Sequence, residues 1–591
     1  MVLYIFYIES STTCSRSYTT VVERSSCLFD SISMFIELDL HPIDQPVCHA
    51  PDSRRPAPTL PPAVTGEFSS FEQSRRQVRV VPACSEPKMF GAVVASLGVS
   101  AAALPDGLYR PTSGGAYLPP HARGGKLAAQ HPELLPPTDF GAPPSKSEKM
   151  YLEVPLDHFD PSNTKTWKDK FYINRGYFDA ENGPIFVEMG GEGGCGGVGV
   201  SKDAMTHKAM MVAVEHRFYG ESVPLGDMSN ENLRFLTVAQ NLADTAAIVE
   251  HVQDKFGGGT RRVVLNFGGS YSGATAAWFR EKYPNVTHAA FSSSGVVNAI
   301  LDMTAFDEQV AAAIAVPDAQ CPKRLIASTQ AMEALFAQGE GDKIKRLYNA
   351  ENLIGTKYGD TDFWYAAADG VAMTDQYGSK ATLCEHLALL PPSPSNWDYV
   401  HNIVNFTLGH YGPDFASNCF YDSECIKNQT VDLKDPGTAR NWRWQKCREV
   451  AFLQPAPAHG SLRSKHLTLD ALIEQCKYAF GGLDPSDSAN GDGPEPFNRK
   501  YGGATMTPTD GSARPTRIFF TDYSDDPWAR ASVQSAPSDE MPYCLTTCNG
   551  CGHCGAGVPA NLTKCRDEQT GYVSKWLAAA RAELAQEHGA K

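Results

Sequence analysis

The chain has 591 residues and a formal net charge of −15, which argues against a nucleic-acid partner, because a phosphate backbone calls for a basic footprint. Apolar content is ordinary for a globular protein, and no apolar run of about 18 residues or more occurs, so no transmembrane segment is expected. Sixteen scattered cysteines and four N-x-[ST] sequons, at Asn285, Asn405, Asn428 and Asn561, suit disulfides, glycosylation and an oxidising compartment.

Residues 1–88 are rich in Ser, Pro and Arg and hold no hydrophobic period, so they read as a disordered tail, a gene-model extension or a separate leader. Met89 opens an apolar run that ends in small residues around Ala101–Ala103, the layout of a signal peptide over 89–103, with Met89 as the expected start. Cleavage there would leave twelve cysteines, an even number. Residues 104–147 are Pro/Gly-rich and read as a linker.

Order is expected from about Tyr151. Phe171–Asn174 and Pro184–Met189 read as strands, the second running into Gly190-Gly191-Glu192-Gly193-Gly194. Such a loop lets backbone N–H groups approach a ligand. A phosphate cradle is the competing reading, but no Gly-Lys-Ser/Thr follows. Met210–Val214 reads as a third strand. It exits into Glu215-His216-Arg217, where His216 fits an ion-pair or hydrogen-bond member of the scaffold. His158 is expected to pack beside Phe159. Leu236–Val252 has helical spacing.

The most informative stretch is Arg261–Pro284. Val263–Phe267 is a short β-rich run, Gly268-Gly269 a tight turn, and Ser272–Tyr283 a helix stopped by Pro284. Strand, glycine turn, serine and helix make a nucleophile elbow with Ser270 at its tip. The last glycine of G-x-S-x-G is replaced by Ser272, the next-smallest choice. Thr287–Phe291 follows as a strand. Alternating strands and helices imply an α/β fold with a mainly parallel sheet covered on both faces.

From about 300 to 480 helical segments dominate, among them Thr304–Ala315 and Leu467–Phe480, with six cysteines between them. They read as a disulfide-braced helical cap inserted over the sheet. Residues 481–514 are Gly/Pro/Asp-rich and read as loop. Arg517–Phe520 is a late strand and Tyr572–Gln586 a final helix. The resulting division is 148–300 with 515–588 as catalytic domain and 301–514 as cap with loop.

A serine nucleophile needs a base, and the base an orienting carboxylate. Thr521–Trp528 and Cys548–Gly555 follow the late strand, where the remaining members would fall. Here the chain resembles the prolyl carboxypeptidase, dipeptidyl peptidase II and thymus-specific serine protease family. The resemblance spans roughly 150–585. It rests on Leu156-Asp157-His158-Phe159, Glu215–Ser222, Leu233–Thr237, Gly268–Tyr271 with Ala277–Arg280, Trp444–Cys447 and Asp526-Pro527-Trp528. It implies an α/β-hydrolase fold with a helical cap, Ser270 as nucleophile, Asp526 as acid and His553 as base. It also implies no metal or other cofactor, a secreted, lysosomal or vacuolar location, and exopeptidase cleavage of peptides next to proline. A homodimer is open as the assembly.

Tyr271 and the Gly190–Gly191 loop would supply oxyanion N–H groups. Glu192, Glu221 and Trp528 are candidates to contact substrate. The family's Leu-Asp-Pro-Trp is here Asp525-Asp526-Pro527-Trp528, so Asp522 and Asp525 stand as alternative acids. Three other readings remain: an esterase or lipase on the same fold, an inert binding domain, and a zinc site built from Cys544, Cys548, Cys551, Cys554 and His553.

Overall fold

The computed structural model describes residues 147–429, 438–490 and 493–589. The leader, signal peptide and linker expected over residues 1–146 lie outside the described residues.

Among the described residues ten strands form in chain order: β1 (Glu148–Pro155), β2 (Thr166–Asn174), β3 (Ile185–Glu188), β4 (Met210–Val214), β5 (Val264–Gly269), β6 (Ala289–Ser293), β7 (Ile300–Asp302), β8 (Ala451–Leu453), β9 (Ile518–Tyr523) and β10 (Tyr543–Thr546). Eight of them make one sheet in the order β1-β2-β4-β3-β5-β6-β9-β10, and β7 and β8 pair separately. β1/β2 and β2/β4 are antiparallel. Every later pair in the large sheet is parallel.

The central strands are continuous apolar runs, as strands buried on both faces must be. Successive side chains then feed opposite cores. Ile185, Val187, Val212, Val264 and Phe520 enter one, while Phe186, Met211, Leu265, Phe291 and Phe519 enter the other. The second core is closed by the last helix, Lys564–Gly589, through Val573, Trp576, Leu577 and Ala580. With the strand order and the mostly parallel pairing, this is the α/β-hydrolase fold.

The helix Val238–Phe256 begins where the Thr237 side chain accepts the Gln240 N–H and ends at Gly257. Between β6 and β9 the chain builds mainly helices, including Thr304–Ile314, Cys321–Ala337, Gly359–Gln376, Lys380–Leu387, Asn396–Tyr411 and Leu469–Ala479. Ser395 and Asp398 form a reciprocal capping box at the start of Asn396–Tyr411. Disulfides join Cys321 to Cys384, Cys419 to Cys425 and Cys447 to Cys476 in this stretch.

The stretch read as loop over 481–514 contains a helix, Pro494–Tyr501. Its composition discourages a helix, but Phe497 and Tyr501 pack on the buried Trp278, with ring centroids 4.9 and 5.3 Å away. Burying such rings stabilises by about 2–3 kcal/mol each, which outweighs the weak local propensity.

Candidate active site

β5 delivers the elbow. Ser270 follows Gly269 with φ 60° and ψ −131°, and the helix Tyr271–Lys282 starts at the next residue. Such a backbone is strained for a residue with a side chain. It is held by the Ser270 N–H, which donates to Ser293 O in β6 at 2.9 Å. Gly268 is required, because a Cβ there would fall 2.0 Å from the Ser272 carbonyl oxygen. Ser272 does more than fit. Its hydroxyl accepts the Gly269 N–H at 3.0 Å and donates to Gly269 O at 2.7 Å, closing the turn from within.

The other two residues arrive from the loops after β9 and β10. Asp526 sits three residues beyond β9 and is fully buried. Its Oδ1 accepts the Trp528 N–H at 2.8 Å, which caps the 3-10 turn Pro527–Ala531 and fixes the carboxylate. His553 Nδ1 lies 2.9 and 2.8 Å from the two Asp526 oxygens, and His553 Nε2 lies 2.7 Å from Ser270 Oγ. With Nδ1 protonated toward Asp526, Nε2 is free to accept from the serine. Burial works against a charged imidazole here. The Asp526 carboxylate and then the Cys554 sulfur outweigh it and raise the His553 pKa well above its ordinary value.

Asp522 and Asp525 are also buried, but neither makes a hydrogen bond to His553 among the described residues. Asp525 instead accepts the N–H groups of Gly550, at 2.6 Å, and Gly552, at 3.1 Å, in the loop that carries His553. Burial, and then Asp526, push the Asp522 pKa well above the carboxylate range.

The cysteines expected as disulfide or zinc ligands resolve into pairs. Cys544 bonds Cys565 and Cys548 bonds Cys551, leaving Cys554 as the one free thiol of the cluster. The four cysteines therefore do not share one point around His553.

Tyr271 opens the helix after the elbow, where N–H groups lack intrahelical partners. Gly190 and Gly191 follow β3. A Cβ on Gly191 would lie 3.4 Å from Ser272 Cβ, so this loop packs directly on the elbow. The Tyr271 hydroxyl is part of a buried chain that the sequence did not reveal. His216 Nδ1 donates to Arg217 O at 2.8 Å, so its Nε2 accepts from Tyr271 Oη at 3.1 Å. Gln445 Nε2 donates to Tyr271 Oη at 2.6 Å, and Tyr219 Oη donates to Gln445 Oε1 at 2.5 Å. His216 is thus a scaffold hydrogen-bond member. Burial lowers its pKa to about 4. His158 does not pack beside Phe159, which is exposed; it reaches Asp244 Oδ1 at 2.7 Å.

A cavity opens onto Ser270 and Tyr271, with Glu192 and Trp528 in its lining. Phe306, Phe420, Trp442 and Phe452 give it aromatic walls, while Tyr365, Asp369, Lys446 and Gln454 add polar groups. Glu221 is elsewhere, bonded to Lys149, Lys170 and Tyr151. Asn285, Asn405, Asn428 and Asn561 are all exposed.

Fold and site together define an α/β-hydrolase with a strained serine turn joined through a histidine to a buried aspartate. The chain belongs to the serine carboxypeptidase S28 family, whose profile matches residues 154–567, and is therefore a member of a family of serine peptidases, which are hydrolases. It is 28% identical to the probable serine protease EDA2 of Arabidopsis thaliana over 469 residues, 74% of this chain and 90% of that one. It is 26% identical to the human thymus-specific serine protease over 435 residues, 68% and 80% of the two chains. It is 25% identical to the human lysosomal Pro-X carboxypeptidase over 472 residues, 75% and 90% of the two chains. Among the described residues no helix is long and apolar enough to cross a membrane.

Proposed function

We propose that this chain hydrolyses peptides by acyl transfer through Ser270, His553 and Asp526, as an exopeptidase acting next to proline in the secretory pathway or a lysosomal compartment. The observation that carries this reading is the continuous hydrogen-bonded chain from Ser270 Oγ through His553 to Asp526. The direction of the reading, toward proline and toward chain ends, is supported by the name of the lysosomal Pro-X carboxypeptidase relatives.

In this mechanism His553 Nε2 takes the Ser270 proton as Oγ attacks the scissile carbonyl. Asp526 holds the imidazole in the required tautomer and stabilises the imidazolium, in keeping with the upward pKa shift of His553. The N–H of Tyr271 and an N–H of the Gly190–Gly191 loop stabilise the oxyanion. His553 then gives its proton to the leaving amine, the C–N bond breaks, and water attacks the acyl-enzyme by the same route in reverse. Aromatic walls around Ser270, with Trp528 and Glu192 among the lining, suit a proline ring with a polar neighbour.

The test is hydrolysis of two peptides across pH 4–8, one with a free N-terminus and proline second, the other with proline before a free C-terminal residue. Ser270→Ala should lower turnover of whichever is cleaved by several orders of magnitude, leaving roughly 10³-fold residual catalysis over water at best. Full activity in that variant overturns the assignment. Turnover of simple esters with neither peptide cleaved would instead support an esterase.

A further inference from the structure

The cavity on Ser270 contains a cation to which the mechanism gives no task. Lys446 lines it, from the first position of the π-helical turn Lys446–Val450. The residue is only 3% exposed, so its ammonium has lost almost all contact with water. Nζ donates to Tyr365 Oη at 3.3 Å, and Tyr365 Oη in turn donates to Gln454 Oε1 at 2.9 Å.

An ammonium has three donors. Lys446 makes no ion pair among the described residues. Asp369 lines the same cavity, but its carboxylate accepts from Tyr421 Oη at 3.0 Å. Of the other cations nearby, Arg463 is paired with Asp307 at 3.0 Å, while Arg443 donates to the Gln475 side chain and Phe420 O, both at 3.5 Å, and lies over the Tyr365 ring. Burial first, then Arg443, pull the Lys446 pKa down to about 7, against the pull of Asp369. A buried ammonium in this setting is costly until an anion joins it. The rest of the lining sets Val296, Phe306, Trp442 and Phe452 beside the polar Glu192, Gln376 and Asp369, so a matching ligand has an apolar body with an anionic end for Lys446.

We propose, building on Ser270 as the nucleophile, that Lys446 is the specificity residue of this cavity and pairs with a carboxylate of the bound peptide. The carboxylate is either the C-terminal one or that of an acidic side chain, and the two sources separate by experiment.

Ser270→Ala protein is titrated with four ligands, followed by the fluorescence of Trp442 and Trp528 in the cavity wall. The ligands are acetyl-Ala-Pro-Phe as free acid and as amide, and the amides of acetyl-Ala-Pro-Glu and acetyl-Ala-Pro-Gln. One charged ligand should bind roughly 100-fold more tightly than its uncharged twin, the scale of a desolvated charge pair. The acid/amide pair reports a terminal carboxylate and the Glu/Gln pair a side chain. The preference should vanish when Lys446→Met is added and persist with Lys446→Arg. Lys446→Gln replaces the methionine variant if that one does not fold.

Equal binding of charged and uncharged twins overturns the proposal, as does a preference that survives Lys446→Met or Lys446→Gln. Fluorophosphonate labelling of the unmodified protein reports separately on Ser270. Labelling without a carboxylate preference refutes Lys446 alone, whereas a Lys446-dependent preference without labelling refutes only the nucleophile.

Discussion

Lys380 Nζ lies 2.8 Å from Asp525 Oδ2, and this ion pair is buried. Lys380 begins the helix Lys380–Leu387, which lies between β6 and β9 in sequence, whereas Asp525 neighbours Asp526 and holds the Gly550 and Gly552 N–H groups of the His553 loop. The pair therefore ties the helical stretch to the loop that presents His553.

Lys380→Met should leave two buried carboxylates, Asp525 and Asp375, without their shared cation. A loss of roughly 3–5 kcal/mol is expected, the usual cost of breaking a buried pair from one side. Urea unfolding of the variant measures it, and a change below about 1 kcal/mol would mean the pair is solvated.

Asp526→Asn should lower kcat by roughly 10⁴-fold while leaving substrate binding intact, because the amide favours the wrong histidine tautomer. Asp522→Asn should change kcat little, since Asp522 makes no hydrogen bond to His553. Steady-state kinetics on both variants separates the two acids, and equal losses would refute the assignment of Asp526.

Ser272→Ala removes both hydrogen bonds that close the elbow turn. Because the turn is also held by Ser270 N–H to Ser293 O, a stability loss of about 1–2 kcal/mol is expected, with kcat within a few-fold. Thermal melts and kinetics of the purified variant check both parts.

Stability should fall on acidification through His216. Its folded pKa is about 4 against an ordinary 6.5, so between these pH values the unfolded chain binds a proton that the folded chain refuses. That contribution is fully present above about pH 6.5 and is lost as pH falls toward 4, reaching roughly 3 kcal/mol. His216→Gln should be less stable at pH 7 but lose less on moving to pH 4.5. Denaturant unfolding at the two pH values gives the comparison, and parallel losses in both proteins would refute it.

Local sequence carried the sheet where burial was two-sided. Met210–Val214 reads as a strand and is β4 residue for residue, because an unbroken β-branched and apolar run between polar exits has no other stable placement. The edge strand β10 (Tyr543–Thr546) escaped notice, since a short strand containing a cysteine has little periodicity. Ser270 was legible because the elbow is a local event of a few residues. Asp526 and His553 came from family resemblance, and nothing in spacing alone joins residues 283 positions apart. The polar cavity groups were not legible for the same reason. Tyr365 and Asp369 lie in the helix Gly359–Gln376 and Lys446 in the π-helical turn Lys446–Val450, and only tertiary packing brings them to the cavity on Ser270. The carboxylate of Asp525 gains its physical meaning only with Lys380 in view.

The order of the elements along the chain has a consequence for fragments. Ser270 lies before the helical stretch, and Asp526 and His553 lie after it. Among the described residues no disulfide spans the interval from Cys425 to Cys447. A single cut in that interval would divide the protein into two polypeptides, one bearing Ser270 and the other His553 and Asp526. They would be held by the β6–β9 ladder and the shared cores rather than by any covalent link. With the proposed triad split between them neither half could act alone, so recovered turnover on mixing the two would be a direct count of reassembled sheets.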